Sequence, residues 1–140
     1  MLGGTHGKIL HIDLTSGETR VEHPPEELYR LLVGGRAVIA YLLMRDLPQG
    51  TEALSPENLL IFAPGIMQGT NFPGAGRHAV GGKSPLTGAI GSSEVGGWWG
   101  HEFKRAGFDA LVVHGKADKP SYLWIHNGTL EIRLADHLCG

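Results

Sequence analysis

Residues 71–100 read NFPGAGRHAVGGKSPLTGAIGSSEVGGWWG, with one arginine and one lysine among them. The wider segment from Gly65 to Gly100 holds 11 of the chain's 22 glycines. Glycine admits positive φ and lets a ligand or another backbone come within van der Waals distance of the main chain, at an entropic cost on folding. So many in one segment imply a compensating contact. Successive N–H groups in glycine-rich loops form nests for anions, and a helix opening at Gly96-Gly97 adds the positive end of its dipole. The chemistry implied is an anionic, extended ligand laid along strands and turns.

Nucleotide loops do not account for the pattern. GAGRHAVGGK fails the G-x-G-x-x-G fingerprint because the third glycine falls late. GGKSPLTG contains the G-K-S triplet of a P-loop, but Arg77 stands where the earlier glycine is required. Arg77 can make a forked, permanently charged contact that suits an anionic ligand. A surface arginine paired with a neighbouring carboxylate is the plainer alternative, and spacing leaves both open.

On the N-terminal side, SPENLLIFAPG predicts a short buried strand, Leu59 to Ala63, stopped by Pro64 and Gly65. Before it, PPEELYRLL places Pro25 and two carboxylates where a first helical turn favours them, with Leu28, Leu31 and Leu32 at helical spacing. Gly34 and Gly35 interrupt this pattern, and RAVIAYLLMRD continues as a second helix ended by Pro48. The opening GKILHIDLTSGETRVEH has Ile9, Ile12, Leu14 and Val21 around a turn-like TSGE, a β-hairpin with one covered face.

On the C-terminal side, GGWWGHEFKRAGFD predicts a helix from about Gly97 to Ala106, closed by Gly107. Three strands follow in DALVVHG, SYLWIHN and TLEIRL, the last two joined across Asn127-Gly128. Strands outnumber helices and come as hairpins, so the class is α+β with mainly antiparallel or mixed sheets and a few helices. The ending LADHLCG lacks a polar tail and reads as a loop into a further segment.

Composition narrows the functional classes. At 140 residues, 41% hydrophobic and 19% charged, the chain is globular and long enough to bury a core without staples. A net charge of −2 gives no electrostatic reason to expect nucleic acid or an anionic membrane. One cysteine, Cys139, cannot hold an iron-sulfur cluster, so cluster ligands would come from outside this chain. MLGGTHGKIL lacks the regions of a signal peptide, and apolar runs fall far short of about 18 residues. A soluble, cytoplasmic protein is expected.

GRHAVGGKSPLTG followed by GGWWGHEFKRAGFDALVVHGKADKP resembles the N-terminal domain of the aldehyde:ferredoxin oxidoreductase family, the tungsten or molybdenum bis-pterin enzymes. GKILHIDLTSGE, VGGRAVIAYLL, LSPENLLIFAPGIMQGT and EIRLADHLCG agree in order, so the resemblance covers essentially all 140 residues. It implies a sheet-built base on which two pterin dithiolenes lie, with residues 1–140 as an incomplete part of a longer enzyme. Arg77 matches the arginine between a [4Fe-4S] cluster and one pterin, and Gly76 and His78 flank it. Glu94 falls where a backbone carbonyl helps hold the magnesium ion that bridges the pterin phosphates. Family members can carry asparagine there, so the carbonyl is what carries over. Ser93, Val95, Gly96 and Gly97 complete that loop, and Lys83 can reach a cofactor phosphate. Cluster cysteines and the residues that act on substrate belong to later domains, so no catalytic residue is expected here.

The remaining candidates have plainer readings. Eight histidines show no helical or H-x-H metal spacing and read as surface or hydrogen-bonded groups. Trp98 and Trp99 read as packing residues, Asp109 as a turn cap and Cys139 as structural. The resemblance implies oxidation of an aldehyde to a carboxylic acid with electrons passed to ferredoxin, in a possible homo-oligomer. Relatives acting on another substrate, such as an aromatic thioester, and a stand-alone binding module are the rival readings.

Overall fold

The computed structural model describes residues 4–138. Among the described residues eight strands and three helices follow in the order β1 (Ile9–Asp13), β2 (Thr19–Glu22), α1 (Glu26–Leu32), α2 (Gly35–Asp46), β3 (Leu60–Pro64), β4 (His78–Lys83), β5 (Ile90–Val95), α3 (Trp99–Arg105), β6 (Ala110–His114), β7 (Ser121–His126) and β8 (Thr129–Leu134). The class is α+β. Six strands form one mixed sheet in the order β2-β1-β6-β3-β4-β5, and β7 and β8 form a separate hairpin. Within the large sheet only β1 and β6 run parallel.

Alternation along the strands sends side chains to two cores. On one face Ile9, Ile61, Ala63, Ala79, Ala110 and Val112 meet the α2 stripe of Val38, Ile39, Leu42 and Leu43. On the other, Leu10, Ile12, Leu111 and Val113 meet Phe103 of α3, with Leu123, Ile125, Leu130 and Ile132 of the hairpin packed against them. The molecule is thus three layers, α1 and α2, then the sheet, then α3 with the hairpin. This corrects the expectation for β1, which is covered on both faces because β6 pairs beside it and layers lie above and below. Val21, expected on the covered face, stays exposed on the edge strand.

Local signals place the elements much as predicted. Glu26 and Glu27 occupy the first turn of α1, and Arg30 bonds back to Glu26 at 2.8 Å. Leu47 turns extended ahead of Pro48 and ends α2. Asn127 and Gly128 both take positive φ, 49° and 80°, as the tight turn between β7 and β8 requires. Asp109 does more than cap a turn. Its carboxylate accepts from the backbone N–H of His6 and Lys8 and from Lys104 Nζ at 2.5 Å, tying the start of β6 to the lead-in of β1 and to α3.

Candidate functional site

The glycines of the opening segment divide by what surrounds them. A Cβ on Gly81 would lie 2.8 Å from Ile39 Cγ2 and from the Gly91 carbonyl oxygen, so β4 is bare there to let α2 settle on the sheet. A Cβ on Gly100 would overlap the buried Gln68 carboxamide at 2.3–2.5 Å. These glycines serve the fold. Gly76 and Gly96 likewise lack a positive φ, but their surroundings differ. A Cβ on Gly76 would meet nothing within 4 Å, and one on Gly96 only the Gly76 carbonyl oxygen at 3.9 Å. Nothing among the described residues requires glycine at either position; Gly76 adjoins Arg77, and Gly96 comes two residues after Glu94.

Three elements bring charged groups to this point. Gly34 and Gly65 form an isolated bridge, and a Cβ on Gly34 would sit 2.7 Å from the Pro64 carbonyl oxygen. The start of α2 is therefore pressed against the end of β3. That approach carries Arg36 alongside Arg77 at the entry to β4. Glu94 of β5 lies between them, with Oε1 3.2 Å from Arg36 Nε and Oε2 3.9 Å from Arg77 Nη1. Both guanidiniums are more than half exposed, and neither has a further partner among the described residues.

Neighbours in sequence are not neighbours in the site. His78 follows Arg77 but points to the opposite face of the sheet, where its ring lies 4.7 Å from that of Trp99. Burial depresses its pKa, and its Nδ1 is buried without a hydrogen-bond partner. Trp99 also meets Phe62 and stacks on Phe103, whereas Trp98 is largely exposed, so the tandem tryptophans divide between core and surface. Lys83 stands at the far end of β4, about 20 Å from Arg77 at strand rise, and donates to the Thr51 carbonyl at 2.5 Å. Ser93 lines an open groove of about 550 Å³ with Leu60, Val80 and Gly82. Val95 pairs with His78 at the end of β5, and Gly97, with φ 94°, turns the chain toward α3. Cys139 lies outside the described residues.

One cluster escaped the sequence pattern. His11 of β1 and His114 of β6 are 103 residues apart yet touch, Nδ1 to Nε2, at 3.0 Å. Glu22 takes the other His11 nitrogen at 2.9 Å, and Arg20 Nη2 lies 3.1 Å from His11 Nδ1. Burial first, and then the Arg20 charge, lower the pKa of both rings. The parallel pairing of β1 with β6 makes this contact, and no local spacing announces it. Among the described residues no group of three or more histidine, cysteine, aspartate or glutamate side chains is arranged to hold a metal ion.

The profile of the family described as "Aldehyde ferredoxin oxidoreductase, N-terminal domain" matches residues 9–140. The chain belongs to this family. The tungsten-containing aldehyde ferredoxin oxidoreductase of Pyrococcus furiosus is 44% identical over 137 residues, covering 98% of this chain and 23% of that protein. The aliphatic sulfonate oxidoreductase WOR-like subunit of the same organism is 35% identical, covering 96% of this chain and 22% of that protein. Among solved structures, the active-site complex BamBC of benzoyl-coenzyme A reductase matches with a TM-score of 0.93 and 38% identity, over 99% of this chain and 21% of that one. The chain thus spans less than a quarter of these aldehyde ferredoxin oxidoreductase relatives, which are oxidoreductases acting on different substrates. No helix among the described residues is long and apolar enough to cross a membrane.

Proposed function

We propose that residues 1–140 are the N-terminal cofactor-binding portion of a tungsten or molybdenum bis-pterin oxidoreductase that converts aldehydes to carboxylic acids and passes electrons to ferredoxin in the cytoplasm. The observation that carries this reading is the backbone at Gly76 and Gly96, bare beside Arg77 without any demand from the fold. Clearance for a flat ring and a fixed positive charge are what an anionic pterin needs from a protein surface. The names of the relatives support tungsten, and the extent of the match supports further domains of the same chain as the first partners.

The residues divide the work of binding. Gly76, Gly96 and Gly97 leave room for the rings, and Arg77 sets a permanent charge against the cofactor. The Glu94 carbonyl is assigned to magnesium, with Ser93 and Val95 holding its strand in register against Val80 and His78. His78 supports the sheet from beneath, and Lys83 is assigned to a more distant phosphate, for which its Nζ would exchange the Thr51 carbonyl. When bound, a metal bis-pterin supplies two-electron chemistry at the substrate carbon, and a [4Fe-4S] cluster with ligands outside this chain supplies single-electron relay. Within the chain the residues bind and orient. Among the described residues the one carboxylate beside Arg77, that of Glu94, is paired with two arginines, so catalytic side chains are assigned to later domains.

The similarity to benzoyl-coenzyme A reductase favours a second reading, reduction of an aromatic thioester. Both readings are tested on the full-length protein, purified without oxygen. About one tungsten or molybdenum per two pterins, with aldehyde-dependent reduction of ferredoxin, is the expected result. Metal and pterin with turnover only of a thioester selects the second reading. A protein carrying neither metal nor pterin contradicts both and leaves a binding module.

A further inference from the structure

Two guanidiniums share one carboxylate at the edge of the bare backbone. We propose that the Glu94 carboxylate is an internal competitor that holds the Arg36–Arg77 pair until a phosphate ester displaces it. The oxyanion chemistry rests on these side chains alone, and only the assignment of the phosphate to the cofactor rests on the proposed function.

Among the described residues one other carboxylate, Glu22, is approached by two arginines, Arg45 and, at 4.0 Å, Arg20, but Arg20 also meets His11 Nδ1 at 3.1 Å. Arg45 engages both Glu22 and Asp46 with contacts of 2.6–2.8 Å, so its donors are used. Arg30, Arg105 and Arg133 each bond a carboxylate on their own element at 2.8 Å. Arg36 and Arg77 come instead from separate elements, face opposite oxygens of Glu94 at 3.2 and 3.9 Å, and have no second partner among the described residues. Most of their N–H donors are therefore uncommitted, and the cluster has an excess positive charge. A dianion with three or more oxygens uses such donors better than one carboxylate can.

The surroundings favour an exchange of anions. Glu94 is held on a sheet-edge strand at partial exposure, so its side chain can turn away without opening the core. Arg36 is fixed at its backbone by the Gly34–Gly65 bridge, which keeps the two guanidiniums facing one point. No acidic residue lies in the first turn of α2 to repel an incoming anion. Gly76 and Gly96 leave the approach open.

The test uses full-length protein produced without tungsten or molybdenum and titrated calorimetrically with inorganic phosphate, circular dichroism verifying the fold of each variant. Glu94→Gln is expected to bind phosphate about tenfold more tightly, the scale expected when one nearby charge is removed at a screened site. Arg36→Gln is expected to weaken binding about tenfold and to cancel the gain when combined with Glu94→Gln, with Arg36→Lys recovering part of it. Equal affinity of Glu94→Gln and the parent, or no effect of Arg36→Gln, overturns the proposal. In tungsten-loaded protein the same titration is expected to show no phosphate binding, because the cofactor's phosphate holds the site. Undiminished binding there overturns the assignment to the cofactor. A protein that never takes up tungsten yet shows the variant effects refutes the enzyme reading and leaves the oxyanion site standing.

Discussion

Gly81 and Gly76 lie on one short segment and answer to different neighbours. A methyl group at Gly81 would press on Ile39 and on the Gly91 carbonyl, so Gly81→Ala should destabilise the fold by about 1–3 kcal/mol, as overpacking does. Gly76→Ala meets open space at an ordinary φ and should stay within about 0.5 kcal/mol of the parent. Urea midpoints of the two variants check the contrast. A second prediction concerns protons. His11, His78 and His114 all have pKa values below the ordinary 6.5, with burial as the leading cause. The unfolded chain therefore binds more protons than the folded one between each lowered value and 6.5. Stability is full above that point and is lost as pH falls through the window, so the urea midpoint should drop between pH 7.5 and 5.5. Replacing His11 and His114 together should flatten the drop.

At the scale of elements, α3 depends on a buried ion pair more than on its own seven residues. Lys104 is buried, with Nζ on Asp109 and on the Gly4 carbonyl. Lys104→Met leaves the buried Asp109 carboxylate without its counter-charge and should cost about 3–5 kcal/mol, whereas adding Asp109→Asn, whose carboxamide oxygen still accepts from the His6 and Lys8 N–H groups, should recover part of the loss. Thermal denaturation of the single and double variants decides this. The elements themselves were largely legible. Asn127-Gly128 announces the β7–β8 turn because two adjacent residues must take positive φ, and Pro48 announces the end of α2 because the residue before proline leaves the helical region. The burial of β1 on both faces was not legible, since its partner β6 comes some hundred residues later and no window along the chain contains both. Nor was the role of Asp109, whose two backbone donors, His6 and Lys8, come from the same distance.

At the scale of the molecule, the family was legible because KSPLTG with Arg77 before it, and GGWWG with the helix after it, are joined by a spacing that chance does not supply. The geometry of the site was less so. Arg77 and His78 look like one unit in sequence, yet pleating sends them to opposite faces, and the partner of Arg77 is Glu94 with Arg36, drawn from two other elements. The tie of Lys83 to Thr51 likewise depends on how the end of α2 returns to the sheet. What emerges is a layered platform whose fold-bearing glycines lie under α2 and α3 and whose uncommitted glycines border the arginine pair.

The central claim is that Gly76 and Gly96 are bare for a cofactor and not for the fold. Tungsten and pterin content of full-length Gly76→Leu, purified without oxygen beside the parent and compared at equal thermal stability, tests it most directly. The account predicts loss of most of the tungsten and pterin with the melting transition unchanged. Full loading of the variant would contradict it.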